Sequence, residues 1–158
     1  AMQPKILGFL YRMTRNRELA EDLGQEVFLR AFRQLANYDP KKAAFSTWLF
    51  TIARNLCLDE WRRQRPARVT LEEAAFVEAP PETNPHRAAL EGELEWQIAQ
   101  AVSGLESEFR EVFILHEYEN LSLDEVAAIT GAPVGTIKSR LHRARLALQK
   151  KLAPVLCE

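Results

Sequence analysis

Apolar side chains recur every three or four residues in the first part of the chain, which is the spacing of amphipathic helices. One long helix is predicted between an N-cap at Asn16 and the breaking stretch "NYDPKK" (37–42). Its predicted buried stripe comprises Leu19, Ala20, Leu23, Val27, Phe28, Ala31, Phe32 and Leu35. A second helix is predicted from about Thr47 to Arg63, capped by Ser46 and buried through Leu49, Ile52, Ala53 and Leu56. The earlier stretch "ILGFLYRM" predicts part of another helix that packs under these two.

This helical pattern disappears between Pro66 and about Pro85, where prolines and acidic residues dominate and "EAPPETNP" is typical of a linker. A short helix near Leu71–Phe76 is the only element expected there. Order resumes at Asn84-Pro85, an N-cap followed by proline at the first helical position. The predicted fold is therefore all-α, with two small helical domains (1–65 and 86–158) joined by a flexible acidic linker (66–85).

The second domain is predicted to contain four helices. One extends to about Val102, and another runs from about Ser107 to Glu117. A short third helix starts at the capping box "SLDE" (122–125) and ends at "GAP" (131–133). A longer basic helix follows, so the last two helices have the outline of a helix-turn-helix.

The last helix separates into a buried side and a polar side. Val134, Ile137, Leu141, Ala144 and Leu148 are spaced by three and four residues and form the predicted inward stripe. Gly135, Thr136, Ser139, His142 and Arg143 fall opposite, with Lys138, Arg140 and Arg145 on the flanks. Planar or short donors flanked by cations suit a helix in the major groove of DNA, with the donors facing base edges and the cations facing phosphates.

Charge strengthens this interpretation, although the formal net charge of the whole chain is only -1. Residues 1–65 carry 12 basic and 7 acidic side chains, residues 66–106 carry 2 and 8, and residues 107–158 carry 7 and 7. From Val134 to Lys151 there are six Lys or Arg and no acid. The helix dipole explains cations in a last turn, but these cations start in the first turn at Lys138.

Composition excludes several other classes of protein. The apolar runs are too short for a membrane-spanning helix, and no signal peptide is visible. Cys57 and Cys157 lack partners at metal-ligand spacing, so we expect two structural cysteines, no zinc site and a reducing, cytoplasmic environment. We expect no cofactor and no catalytic site. Ala1-Met2 has the look of a cloning remnant, and we expect the natural N-terminus to extend further.

The stretch "LSLDEVAAITGAPVGTIKSRLHRARLALQKKL" closely resembles the promoter-reading domain of extracytoplasmic-function (group IV) sigma factors of the bacterial sigma-70 family. "PVGTIKSRLHRAR" is highly specific to that family, and "FREVFILHEYENLSLDEVA" also fits, with Asn120 where glycine is common. The resemblance implies a sigma-4-like domain that reads the minus-35 element. The residues it assigns to this contact are Thr136, Lys138, Ser139, Arg140, His142 and Arg143.

The N-terminal domain resembles the sigma-2 domain of the same family. "AEDLGQEVFLRAFRQL" (20–35) resembles the helix that binds core RNA polymerase, which implies contacts from Asp22, Gln25, Glu26, Leu29 and Arg33. "FSTWLFTIARNLCLDEWRRQ" (45–64) resembles the segment that captures melted minus-10 DNA, and in the family the loop before it takes up a flipped base. The minus-10 residues implied here are Lys41, Lys42, Ser46, Trp48, Arg54, Asn55, Arg62 and Arg63. The family match implies a further helix before Pro4.

The resulting prediction is an alternative sigma factor that is monomeric when free and is held inactive by an anti-sigma factor. Two other functions fit the residues less well. A dimeric helix-turn-helix repressor would bind palindromic DNA without polymerase. A non-initiating interaction module would bind polymerase or an anti-sigma factor without producing a promoter-specific transcript.

Overall fold

The computed structural model describes residues 2–64 and 87–156, and every regular element in those ranges is helical. The N-terminal helices are α1 (Met2–Thr14), α2 (Arg17–Gln34) and α3 (Phe45–Gln64), with a short 3₁₀ helix at Leu35–Asn37. The C-terminal helices are α4 (Arg87–Ser103), α5 (Ser107–Phe113), α6 (Leu123–Thr130) and α7 (Val134–Leu156), with a π-helical segment at Ile114–Tyr118. The all-α fold with two helical domains is thereby confirmed. The predicted linker, its short helix and the Asn84-Pro85 cap lie outside the described residues.

The N-terminal domain is a three-helix bundle in which α1, α2 and α3 pack on one another. Phe9 of α1 meets Phe50 of α3 edge to face at the centre, with ring centroids 5.6 Å apart. Gly24 lets α1 approach α2 closely, since a Cβ there would lie 2.9 Å from a methyl carbon of Leu7. Asn16 caps α2 as predicted, because its side chain accepts a hydrogen bond from the Leu19 backbone at 3.1 Å.

Two details of this domain differ from the prediction. Phe32 and Leu35 were expected in the buried stripe of α2 but are exposed, because α1 and α3 cover the side of α2 that carries Ala20, Val27 and Ala31. Helix α3 begins at Phe45 rather than Thr47, so Ser46 lies inside the first turn and is not the cap. The predicted buried stripe of α3 is confirmed.

The C-terminal domain follows its local sequence signals closely. Ser122 and Glu125 make both hydrogen bonds of the capping box at the start of α6. Asn120 and Gly131 both adopt positive φ, +55° and +74°, at the two turns that flank α6. Ile137, Leu141, Ala144 and Leu148 are buried on the inner side of α7, which confirms the helix-turn-helix prediction.

The helix predicted over 107–117 is present but changes geometry midway. Its first part is the α-helix α5, and the chain then widens into the π-helical segment. His116 of this segment has its Nδ1 atom 2.9 Å from the Leu121 carbonyl oxygen, which ties the segment to the turn before α6.

The two domains pack directly against each other. Helix α3 contacts α6, and α1 contacts both α4 and the π-helical segment. The buried apolar residues of both domains consequently form one continuous cluster. None of the described helices is long and apolar enough to cross a membrane.

Candidate nucleic-acid interface

Helix α7 presents a basic surface to solvent. Lys138, Ser139, His142 and Arg143 are exposed, while Thr136 and Arg140 are half-buried at its edges. The buried stripe anchored by Ile137 and Leu141 fixes the rotation of the helix and hence the direction of these side chains. Gly135 at the start of α7 is exposed, and a Cβ placed there would meet no atom within 4 Å. The polar side predicted from the helical period is therefore the side that is accessible.

Two flanking cations of α7 are positioned by acids of the same domain. The Arg140 guanidinium lies 3.8 Å from the Glu108 carboxylate of α5. The Arg145 guanidinium donates to the Glu117 carboxylate of the π-helical segment. These surface pairs contribute little stability, but they orient the two side chains along the edges of the basic surface.

Helix α3 carries a second polar surface on its solvent side. Trp48, Asn55 and Arg62 follow one another at intervals of seven residues, so they lie on one line along the helix. Asn55 and Arg62 are exposed, and Trp48 is half-buried. Arg62 and Arg63 lie 3.6 Å and 4.0 Å from Asp59 and Glu60, both in ion pairs open to solvent. Cations, an amide and an indole on one accessible surface suit a single nucleic-acid strand, whose bases stack and whose phosphates attract positive charge.

The loop before α3 is held by short-range hydrogen bonds and by aromatic packing. The Asp39 carboxylate accepts from the Lys41 backbone at 2.9 Å, and the Tyr38 hydroxyl donates to the Ala43 carbonyl at 3.0 Å. The Tyr38, Phe45 and Trp48 rings pack on one another with centroids 4.9–5.8 Å apart. Lys41 and Lys42 are exposed beside this cluster, and Ser46 is half-buried.

Arg54, a residue of the predicted minus-10 set, forms an ion pair with the other domain. Its Nε and Nη2 atoms donate to the two oxygens of Glu111 at 2.8 Å and 3.3 Å. The Arg54 side chain is 18% exposed and that of Glu111 only 2%. The structure thus does not bring Arg54 together with Asn55 and Arg62 on the accessible surface of α3.

A third surface lies along α2. Asp22, Gln25, Leu29 and Arg33 are exposed, and Glu26 is half-buried in an ion pair with Arg30 at 3.1 Å. Phe32 extends this surface, because its side chain is 80% exposed and falls on the same arc as Leu29 one turn earlier. An exposed aromatic ring next to an exposed leucine is unusual on a surface in contact only with water and indicates a protein contact.

Sequence reasoning missed three side chains of these surfaces. Phe32 was assigned to the core because it continues a helical repeat. Tyr38 and Phe45 were not singled out, although Phe45 precedes Trp48 by one helical turn and therefore shares its side of α3. Aromatic residues on both sides of a basic loop were the available signal.

Within the described ranges, no group of three or more His, Cys, Asp or Glu side chains is placed to hold a metal ion. Cys57 is buried in α3, and burial, together with the nearby carboxylates of Glu111 and Glu60, raises the pKa of its thiol to about 12. A thiol that stays protonated in an apolar setting is poorly reactive, so Cys57 is a core residue. Cys157 lies outside the described residues.

Comparisons with known proteins agree with this layout. The family model for Sigma-70 region 2 matches residues 1–67, and that for Sigma-70 region 4 matches residues 95–148. The RNA polymerase sigma-H factor of Pseudomonas aeruginosa is 37% identical over 99% of this chain and 84% of its own length. The ECF RNA polymerase sigma factor SigW of Bacillus subtilis is 37% identical over 94% and 83%.

Solved structures give the same result. The sigma factor RpoE of Bartonella quintana, determined in complex with the anti-sigma factor NepR, superposes with a TM-score of 0.77 at 29% identity, covering 96% of this chain and 92% of that one. CnrH, determined in complex with the cytosolic domain of CnrY, shares the fold with a TM-score of 0.70 at 24% identity, covering 97% of this chain and 83% of that one.

Proposed function

Because the chain belongs to the extracytoplasmic-function group of the sigma-70 family, we propose that it binds core RNA polymerase and directs it to specific promoters. The observation that supports this most strongly is that each domain has its own accessible surface suited to DNA, a basic one on α7 and a polar one with exposed cations on α3. The surface on α7 suits duplex DNA, and the surface on α3 suits an unpaired strand. A protein with both can recognise a promoter and hold it open.

The C-terminal domain reads the minus-35 element through α7. Ser139, His142 and Arg143 face base edges in the major groove, and Arg143 can donate two parallel hydrogen bonds to a guanine. Thr136, Lys138 and Arg140 contact the phosphates on either side and set the register of the helix. The open space at Gly135 lets the start of the helix approach the DNA backbone.

The N-terminal domain holds the melted minus-10 strand. Trp48 and Asn55 contact bases, Arg62 and Arg63 contact phosphates, and Lys41, Lys42 and Ser46 line the loop that receives one base. The packed rings of Tyr38, Phe45 and Trp48 provide an apolar platform on which that base stacks. Arg54 joins this surface only when it leaves Glu111.

Core polymerase docks on α2 through Asp22, Gln25, Glu26, Leu29 and Arg33, together with Phe32. Polymerase supplies the catalysis, and the sigma chain supplies binding energy and position. It acts in the bacterial cytoplasm, where transcription takes place, and is a monomer when free. An anti-sigma factor controls it, an inference supported by the likeness to RpoE of Bartonella quintana, which was solved with such a partner.

Run-off transcription on a pool of randomised promoters tests this function directly. With core polymerase and this chain, we expect enrichment of templates that share one minus-35 and one minus-10 sequence. Core polymerase alone is the control and should give no enrichment. Polymerase-independent binding of the chain to a palindrome would instead identify a repressor, and core binding without promoter selection would identify an interaction module.

Replacing Arg143 by alanine is expected to weaken binding to minus-35 duplex by about 1–3 kcal/mol. The substitution removes an exposed guanidinium and, with it, the proposed hydrogen bonds to a base. Arg17→Ala is the matched control, because it removes the same charge from an exposed position on α2 in the other domain. Fluorescence anisotropy with duplex DNA measures both. Equal losses in the two variants would mean that only net charge matters and that Arg143 does not read a base.

A further inference from the structure

Helix α3 has two parallel lines of side chains with different surroundings. Trp48, Asn55 and Arg62 form the outward line, and Thr47, Arg54 and Trp61 form a second line displaced by one residue, or about 100° around the helix. The second line faces the C-terminal domain. Thr47 donates to Glu125 of α6 at 3.4 Å, and Trp61 lies 6.0 Å from the Arg110 guanidinium of α5.

The central contact of this second line is the pair between Arg54 and Glu111. Two hydrogen bonds of 2.8 Å and 3.3 Å join the guanidinium to the carboxylate in the fork geometry that arginine also uses for phosphate. Glu111 is almost fully buried, and a buried carboxylate needs such a partner because its hydration has been lost. The Glu111 carboxylate therefore binds the Arg54 guanidinium in the way that a DNA phosphate would.

In this packed arrangement, α3 and α7 are too close together to bind both promoter elements at once. Helix α6 lies between α3 and α7 and contacts both, and helices in contact have axes 8–10 Å apart, so the two DNA-reading helices lie within roughly 20 Å of each other. Elements about 20–25 base pairs apart are separated by roughly 70–85 Å along the duplex. The domains must separate before both elements can be bound at once.

The interface between the domains contains buried polar atoms of Arg15 that favour separation. Arg15, at the turn between α1 and α2, donates to the Ala99 carbonyl of α4 at 3.1 Å. Its Nε and Nη2 atoms are nevertheless buried without a hydrogen-bond partner among the described residues. Burying polar atoms without partners costs free energy, and opening the interface would return them to water.

We propose that Arg54 has two alternative partners, Glu111 in a closed arrangement of the free protein and the minus-10 strand in the open one. Glu111 is then an internal competitor of DNA, and its ion pair with Arg54 holds the protein closed until promoter and polymerase displace it. This inference rests on the function proposed above and adds a mechanism by which the chain restrains its own DNA binding.

Substitutions of Arg54 and Glu111 are expected to change strand binding in opposite directions, so the two variants together test the proposal. Glu111→Gln keeps the shape of the side chain but weakens the pair and leaves Arg54 available, so the free protein should open and bind minus-10 single strand about 3- to 10-fold more tightly. Arg54→Gln should also open the protein but bind the strand at least about 5-fold more weakly, since the cation is lost. Glu21→Gln, on α2 and outside both DNA surfaces, controls for the loss of one negative charge.

Opening is measured by energy transfer between dyes on the full chain. The exposed residues Gln34 and Gln149 supply the labelling positions as Gln34→Cys and Gln149→Cys, in a chain that also carries Cys157→Ser. Cys57 stays unlabelled because it is buried and the pKa of its thiol is raised. Strand binding is measured on the same labelled proteins by anisotropy with a minus-10 oligonucleotide.

We expect reduced energy transfer in both Glu111→Gln and Arg54→Gln. Strand affinity should rise in Glu111→Gln and fall in Arg54→Gln, and Glu21→Gln should change neither quantity. Unchanged energy transfer in both variants would overturn the proposal. Opening without tighter strand binding in Glu111→Gln would also overturn it, because Glu111 would not be competing with DNA. Run-off transcription by the unsubstituted chain tests the proposed function separately, so failure of the closed arrangement and failure of the function are distinguishable.

Discussion

Ile137→Ala is expected to lower the free energy of unfolding by about 2–4 kcal/mol, because truncation of a fully buried side chain loses apolar burial and leaves a cavity. Ile137 is the first buried residue of α7 and follows the turn closed by Gly131, so it fixes the angle at which α7 leaves α6. Urea unfolding followed by far-ultraviolet circular dichroism measures the change. Binding to minus-35 duplex should fall as well, because the basic surface is no longer held in one orientation.

Leu146→Ala is the matched control for this substitution. It makes a comparable truncation on the same helix, but Leu146 is 51% exposed, so we expect a change below about 0.5 kcal/mol. Ile137→Val should give an intermediate loss of about 0.5–1.5 kcal/mol, since only one methyl group is removed. Similar losses for Ile137→Ala and Leu146→Ala would contradict the assignment of Ile137 as the anchor of α7.

The turns and helix starts around α2 and α6 could be predicted from the sequence because their chemistry is local, whereas the predicted cap of α3 at Ser46 was wrong. Asn16 bonds a backbone group three residues away, Ser122 and Glu125 bond each other across the same distance, and Gly131 satisfies a left-handed turn alone. The buried side of α7 could also be predicted, since a helix with a single stripe of apolar residues has only one side to bury. These features need no knowledge of what lies elsewhere in the fold.

Features that depend on distant partners could not be predicted from the sequence. Helix α2 has apolar residues on more than one side, and only the positions of α1 and α3 decide that Val27 is buried while Phe32 is exposed. Arg54 was assigned to DNA by resemblance, but its partner in the fold is 57 residues away on α5. No local pattern contains that pairing, and the mechanism proposed above, in which Glu111 and DNA compete for Arg54, depends on it.

Phe32→Ala is expected to weaken binding to core RNA polymerase by about 2–4 kcal/mol, roughly 30-fold or more, because a buried aromatic anchor dominates most protein interfaces. The ring is 80% exposed in the free chain, so the fold loses little when it is truncated, and the whole apolar surface remains available to a partner. It also continues the line of Asp22, Gln25 and Leu29, which places an apolar anchor at the end of a polar surface. Titration of labelled chain with core polymerase measures the affinity.

Leu94→Ala provides the comparison, since Leu94 is also exposed, at 41%, but lies on α4 in the other domain. It should leave polymerase affinity within about twofold, a change below 0.5 kcal/mol. Both variants should retain the unfolding free energy of the unsubstituted chain, which separates lost contact from lost structure. Unchanged polymerase affinity in Phe32→Ala, with Asp22→Ala still weakening it, would confine the contact to the polar part of α2. Phe32 would then be excluded as a polymerase contact, and its exposed ring would contribute little to either binding or the stability of the bundle.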